Sequence, residues 1–200
     1  MSLLSEIQKK RTTLSHTTTK LMCEDGRIFM QEYKNGNEFM TEMSSGQGYV
    51  VDAKPDLQVA QILPGLFLGS QDPAMDQELL LSHGITHILS IGIEVEHPPA
   101  SRLLYNFVQA FDLPEFDIRS IFERCFEYID SVLEAEGKVY IHCNAGVSRS
   151  PAIVIAYLIK QHGLTYEKAY AKIKEIRPSI LPNPGFVKQL KTYEKWLNNV

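Results

Sequence analysis

The feature that most constrains this chain is an apolar strand, a short loop and a helix in direct succession. Residues 139–142 form an apolar, β-prone run, and a helix-forming run begins at residue 152. The loop between them joins the carboxyl end of a strand to the amino end of a helix. Ligands bind at this edge of an α/β sheet. The free N–H groups and partial positive charge of a helix N-terminus favour an anion.

Two side chains of the loop indicate which anion it binds. Cys143 begins the loop, and Arg149 follows six positions later. A cysteine thiolate is a strong nucleophile, and a guanidinium can hold two phosphate oxygens in a fork that Lys cannot reproduce. The pair predicts a site for a phosphate ester. The alternatives are a small buried thiol and a solvated surface Arg, and the spacing disfavours both.

The loop residues between Cys143 and Arg149 supply backbone N–H donors. Gly146 permits a positive φ or a close approach to the ligand. Because none of the five residues between Cys143 and Arg149 is charged, the loop suits a single phosphate group. The predicted substrate-binding residues are Asn144, Ala145, Gly146, Val147 and Ser148.

The sequence HCNAGVSRSP at residues 142–151 resembles the His-Cys-x5-Arg-Ser/Thr signature of the cysteine-based protein tyrosine phosphatase superfamily. It is most similar to the atypical dual-specificity branch, and the resemblance covers about residues 57–196. It implies a protein tyrosine phosphatase-like fold and hydrolysis of phosphotyrosine and phosphoserine or phosphothreonine. The reaction would pass through a phosphocysteine intermediate, with no cofactor and no metal.

The resemblance also implies roles for individual residues. Cys143 would be the nucleophile, and Arg149 would bind phosphate and stabilise the transition state. The matching family histidine, here His142, orients the loop and tunes the thiolate. Ser150 can stabilise the thiolate as a leaving group, or it only caps the helix. Asn183 matches an asparagine that braces the loop, with a helix cap before Pro184 as the alternative.

The general acid is expected on a loop at the same edge of the sheet. A predicted strand ends near Val108, and Asp112 follows it, 31 positions before Cys143. This position matches the family's acid, so Asp112 is predicted to serve as general acid and then as base. Glu115 is a solvated rival, and Asp117 is better explained as the cap of a long helix.

Strands and helices alternate through the rest of the chain, which predicts an α/β fold with a mostly parallel central sheet of about five strands flanked by helices. A helix is expected to begin at Asp72 and to end near Gly84. Residues 1–48 lack strong core patterning and are predicted to be a partly flexible N-terminal extension, and residues 49–200 the catalytic domain. Within the extension, Asn35-Gly36 predicts a hairpin, with a mobile tail as the alternative.

Composition excludes some partners and functions. The net charge of −4 argues against a broad nucleic-acid surface, and no apolar run approaches the roughly 20 residues of a membrane span. The three cysteines form no Cys-x-x-Cys pair or disulfide framework. Cys125 falls on the apolar face of a helix and is expected in the core, and Cys23 is an incidental thiol. A cytoplasmic location is expected, with the nucleus as an alternative.

Several related functions compete with protein dephosphorylation. Phosphoinositide and RNA phosphatases share the Cys-x5-Arg motif, but their loops often carry additional Lys or His. A catalytically weak phosphoprotein-binding scaffold would be expected to lack Cys143, Arg149 or Asp112, and all three are present. A phosphoprotein is therefore the expected partner. Family analogy points to a MAP kinase or a kinase of its pathway.

Overall fold

The computed structural model describes residues 18–22, 28–34, 37–43, 55–93 and 102–199. The chain divides into two units, Met1–Lys54 and Pro55–Val200. The predicted domain boundary at residue 48 stays a prediction, because residues 44–54 lie outside the described residues. Cys23 lies outside them as well.

The first unit contains an antiparallel three-stranded sheet. Its strands are β1 (Thr18–Met22), β2 (Ile28–Lys34) and β3 (Asn37–Met43), in the order β1-β2-β3. Lys34 pairs with Asn37 across Asn35-Gly36, which confirms the predicted hairpin. The sequence interpretation missed β1.

The second unit is built on a five-stranded sheet. Its strands are β4 (Ala60–Leu63), β5 (Leu66–Gly69), β6 (His87–Gly92), β7 (Leu104–Gln109) and β8 (Val139–His142), in the order β4-β5-β8-β6-β7. Only the β4–β5 pair is antiparallel. The predicted α/β fold with a mostly parallel sheet is confirmed.

Helices cover both faces of this sheet. The helices are α1 (Gln71–Met75), α2 (Gln77–Ser82), α3 (Phe122–Glu134), α4 (Arg149–His162), α5 (Tyr166–Ile176) and α6 (Pro184–Leu197). One core cluster joins the sheet to α3–α6, and a second joins it to α1 and α2. Every residue of α4 from Ser150 to Ile159 is buried, so this helix is anchored along most of its length. No helix in the described residues is long and apolar enough to cross a membrane.

Two helix predictions were wrong in detail. The helix expected from Asp72 to Gly84 begins at Gln71 and is interrupted, because Asp76 leaves the helical conformation and caps α2 by accepting from Leu79 N at 3.0 Å. Asp117 does act as a cap, but of a 3₁₀ turn (Ile118–Ile121) that leads into α3.

Cys125 is fully buried in the core, as predicted. Burial raises the pKa of its thiol to about 12, which keeps it protonated at neutral pH.

Candidate active site

The predicted loop leaves the central strand of the sheet. β8 lies between β5 and β6, and its carboxyl end leads through Cys143 into α4. Gly146 has a φ of +64°, and a Cβ on it would lie 2.3 Å from Gly69 O on β5. The positive φ is confirmed, and the close approach that the structure shows is to the neighbouring strand, with which any side chain at this position would collide.

Cys143 lines a cavity and is 4% exposed. Ser150 Oγ lies 3.2 Å from Cys143 Sγ and donates a hydrogen bond to it. Ser150 is the second residue of α4 and is fully buried, so the alternative that it only caps the helix is wrong. A hydroxyl at this distance can stabilise negative charge on sulfur.

His142 is buried directly before the nucleophile candidate. Its Nδ1 lies 3.3 Å from Cys143 O. A carbonyl oxygen only accepts, so this contact is a hydrogen bond in the tautomer that carries its proton on Nδ1. Burial lowers the pKa of His142 to about 4, outweighing the opposite effect of this bond. The ring is therefore neutral at pH 7 and acts on the loop by a hydrogen bond, not by its charge.

The buried neutral His142 predicts a loss of stability in mild acid. Between pH 6.5, the ordinary pKa, and about 4, the unfolded chain binds a proton at this residue that the folded chain does not. The free energy of unfolding should therefore fall with falling pH, by roughly 1.4 kcal/mol per pH unit from this residue. Urea unfolding of wild type and His142→Gln across this range measures the effect. The glutamine variant should have the shallower dependence, and equal slopes would contradict a neutral ring.

Arg149 begins α4 and reaches toward the segment that follows β7. Its Nη1 donates to Ala110 O at 3.4 Å, and its Nε lies 4.0 Å from Asp112 Oδ2. The side chain is 12% exposed, and its Nε has no hydrogen-bond partner among the described residues. The guanidinium therefore lies between the cavity and Asp112, and its Nε–H is available to donate a hydrogen bond to a phosphate oxygen.

Asp112 is brought to the loop as the sequence predicts. Its Oδ1 accepts from Ser148 Oγ and from Asn183 Nδ2, each at 2.7 Å. The carboxylate is 38% exposed, so a substrate can reach it. Glu115 lies on the same segment and is exposed.

Asn183 has both of the roles that the sequence left open. Its Oδ1 caps α6 by accepting from Phe186 N at 3.0 Å. Its backbone N donates to Ser148 Oγ at 3.1 Å, which braces the loop. The sequence predicted only a backbone role for Ser148, yet its side chain joins Asp112 to Asn183.

Outward hydrogen bonds hold the carbonyls of the loop. Asn144 O accepts from Gln71 N at 2.8 Å, and Val147 O accepts from Leu181 N at 2.7 Å. The carbonyls of Ala145 and Gly146 accept hydrogen bonds from the side chain of Arg177. With its carbonyls engaged by neighbouring elements, the loop retains its N–H groups as donors for an anion.

Arg177 holds those two carbonyls, and the sequence interpretation missed this residue. Its side chain is fully buried, and Nε and Nη2 donate to Gly146 O at 3.1 Å and Ala145 O at 3.0 Å. Nη1 donates to Gln58 Oε1 at 3.2 Å, and Nη2 pairs with Asp56 Oδ2 at 2.5 Å. The only local signal was a charged residue between the apolar Ile176 and Ile180.

The cavity at the thiol has a volume of about 200 Å³. Among the described residues, Arg149 is the only side chain of its lining that carries a permanent charge. The lining residues are Gln71, Ser90, Ile91, Gly92, Ile93, His142, Cys143, Asn144 and Arg149. Within the described residues no cluster of three or more His, Cys, Asp or Glu side chains is arranged to hold a metal ion.

Comparison with known proteins agrees with this geometry. Residues 66–196 match the family described as dual specificity phosphatase, catalytic domain. Dual specificity protein phosphatase 19 of Mus musculus is 42% identical over 188 residues, which cover 92% of this chain and 86% of that protein. MAP kinase phosphatase with leucine-rich repeats protein 3 of Dictyostelium discoideum is 41% identical over 136 residues, covering 68% of this chain and 16% of that protein.

A solved structure shows the same fold. The crystal structure of human tyrosine phosphatase-like serine/threonine/tyrosine-interacting protein is 39% identical, with a TM-score of 0.66, and the match covers 70% of this chain and 97% of that one. The matched family domain, the similarity across most of the chain and the shared fold lead to one conclusion. The chain belongs to the dual specificity phosphatase family and is a dual specificity protein phosphatase.

Proposed function

We propose that the protein hydrolyses phosphotyrosine and phosphoserine or phosphothreonine in protein substrates through a phosphocysteine intermediate. The observation that carries this proposal is that Ser150, Arg149 and Asp112 come together at the loop that begins with Cys143. Ser150 Oγ lies 3.2 Å from the thiol, and Asp112 lies beside the guanidinium. This arrangement combines a nucleophile, an anion-binding loop and a proton donor, which are the parts that the reaction requires.

In the first step the Cys143 thiolate attacks phosphorus, and the bond from phosphorus to the ester oxygen breaks. Arg149 and the loop N–H groups stabilise the charge on the phosphoryl oxygens. Asp112 gives its proton to the leaving oxygen. The products of this step are the dephosphorylated hydroxyl group and phosphocysteine.

In the second step a water molecule attacks phosphorus, and Asp112 takes a proton from it. The sulfur–phosphorus bond breaks, and its electron pair returns to Cys143 as thiolate. The hydroxyl of Ser150 hydrogen-bonds this leaving group. Inorganic phosphate leaves, and Asp112 is protonated again for the next cycle.

The described part of the cavity lining carries one permanent charge, which supports a phosphoprotein substrate with one phosphate at the reacting position. A relative of this chain is named a MAP kinase phosphatase, which supports MAP kinases or kinases of their pathway as substrates. The cytoplasmic or nuclear location stays a prediction.

The alternative function is a phosphoprotein-binding scaffold with weak activity. A relative with the same fold is named a phosphatase-like interacting protein, which favours this possibility. The presence of Cys143, Arg149 and Asp112 favours catalysis. A panel of peptides phosphorylated on Tyr, Thr or Ser, assayed for released phosphate in the presence of a chelator, tests the proposal. Binding without phosphate release would support the scaffold, and release only from non-protein phosphoesters would overturn the protein substrate.

Replacing Asp112 by asparagine should slow the reaction mainly for substrates with poor leaving groups. A general acid contributes roughly 10²–10⁴-fold, and this is lost when the leaving oxygen needs a proton. A phosphate ester with an activated phenol should lose much less. A series of aryl phosphates measures the dependence of kcat/KM on the leaving group.

The matched control for this experiment is Asp117→Asn, which keeps an asparagine cap on the 3₁₀ turn. It should retain the wild-type dependence on the leaving group. An equal loss for activated and unactivated esters in Asp112→Asn would remove Asp112 from the role of acid.

A further inference from the structure

Two buried polar atoms in the wall of the catalytic cavity lack hydrogen-bond partners among the described residues. They are Ser90 Oγ and His142 Nε2. Each side chain is 1% exposed, and both line the cavity that contains Cys143. Buried polar atoms are nearly always hydrogen-bonded to protein or to ordered water, so each of these atoms requires a partner.

The two side chains are neighbours in the sheet. Ser90 on β6 and His142 on β8 are register partners in a parallel pair of strands, so they lie on the same face. Tyr140 stacks on the His142 ring with 5.9 Å between centroids and 18° between planes, which fixes the plane of the ring. Gln71 also lines the cavity and adds a third polar side chain.

The hydrogen bond between His142 Nδ1 and Cys143 O determines whether Nε2 requires a donor or an acceptor. Burial keeps the ring neutral, so a ring that donates from Nδ1 to Cys143 O has no proton on Nε2. Nε2 therefore presents a lone pair and requires a donor. The Ser90 hydroxyl can donate to a water, and that water can donate to Nε2.

We propose that one water molecule bound in the cavity wall bridges Ser90 Oγ and His142 Nε2, and that Ser90 is thereby a positioning residue for Cys143. The cavity of about 200 Å³ has room for it, since one buried water needs roughly 10–15 Å³ of such accessible volume. The site has the two to four polar partners that a buried water needs.

The bridge acts on the loop through the tautomer of His142. Cys143 O belongs to the peptide group whose N–H is that of Asn144, the first amide of the loop. Donation from Nδ1 to this carbonyl polarises the peptide group and makes the Asn144 N–H a stronger donor to phosphate. Without the bridge, the ring can carry its proton on Nε2, which turns a lone pair of Nδ1 toward the carbonyl oxygen.

The tautomer can be measured in the wild-type full-length chain. Nitrogen-15 NMR of the histidine-labelled protein at neutral pH distinguishes protonated from unprotonated ring nitrogens, and His142→Gln assigns the His142 signals. The expected result is a proton on Nδ1 and a hydrogen-bonded, unprotonated Nε2. A proton on Nε2 in the wild type would overturn the proposal, whatever the variants do.

Ser90→Ala tests the function of the bridge. It should populate the Nε2–H tautomer and lower kcat/KM for para-nitrophenyl phosphate by about 10-fold, the effect of one lost hydrogen bond. Ser90→Thr keeps the hydroxyl and should restore both the tautomer and the activity. Ser131→Ala removes an exposed hydroxyl that donates to Tyr128 O on α3, and should change neither.

The outcomes separate this inference from the proposed function, on which its kinetic consequence rests. If Ser90→Ala keeps the wild-type tautomer and activity, Ser90 has no positioning role. If the wild type hydrolyses no phosphate ester, the proposed function fails. The His142 tautomer of the wild type still tests the water bridge between Ser90 and His142. A lower melting temperature with an unchanged tautomer and unchanged kcat/KM would reduce Ser90 to a structural residue and would also overturn the proposal.

Discussion

Cys143→Ser is expected to lower the turnover of para-nitrophenyl phosphate by about 10⁴-fold or more, the order seen when an enzyme loses its covalent nucleophile. A serine hydroxyl is not ionised at neutral pH, and within the described residues no base forms a hydrogen bond at the position of Cys143 Sγ. Ser150 Oγ donates to Sγ, and His142 presents its Nδ1 hydrogen to the Cys143 carbonyl. Steady-state kinetics without added metal measure the loss.

Binding should survive this substitution. Arg149 and the loop amides are unchanged, so the variant should retain phosphopeptides that the wild type releases as products. Phosphopeptide retention on the immobilised variant measures this.

Cys125→Ala provides the control, because that thiol is buried in the core and away from the cavity lining. It should cost stability but keep turnover per folded molecule. Full activity in Cys143→Ser would reject the covalent mechanism.

Arg177→Met should give the largest loss of stability, about 3–5 kcal/mol. The substitution removes the donors to Ala145 O and Gly146 O, and a buried acceptor left without its donor costs roughly 1–3 kcal/mol. It also breaks the pair with Asp56. The melting temperature should fall on the order of 10 °C, as measured by calorimetry. The KM for the phosphate ester should rise, because the loop carbonyls lose their anchor.

Two matched variants separate the charge from the buried hydrogen bonds. Asp56 is 41% exposed, so Asp56→Asn should cost only about 1 kcal/mol or less. Arg102→Met removes an arginine from an exposed pair with Glu78 and should be nearly neutral. An unchanged melting temperature in Arg177→Met would show that the loop does not depend on this side chain.

The placement of the site residues was predictable where it is local in sequence. Cys143, Arg149 and Ser150 lie within one strand–loop–helix unit, and their spacing alone indicates the anion site. Asp112 could be found because the carboxyl ends of parallel strands share one edge of the sheet. The interruption at Asp76 was not predicted, because Asp72 and Pro73 form a sufficient start signal for one helix and Asp76 follows within the same run.

Residues whose partners lie far along the chain could not be predicted in this way. Arg177 contacts Gly146 31 positions away and Asp56 121 positions away. Ser90 meets His142 only because β6 and β8 are neighbours in the sheet. These contacts depend on strand order and helix placement, which no local pattern encodes.

The hydrogen bonds of Asp112 determine which of its oxygens can carry the proton. Oδ1 accepts from both Ser148 and Asn183, so its acceptor positions are occupied. The acidic proton therefore belongs on Oδ2, the oxygen that faces Arg149. The two oxygens of the carboxyl group are therefore not equivalent in proton transfer. In the proposed mechanism the leaving oxygen would approach from the guanidinium side to be protonated, and Oδ2 would later receive the proton of the attacking water.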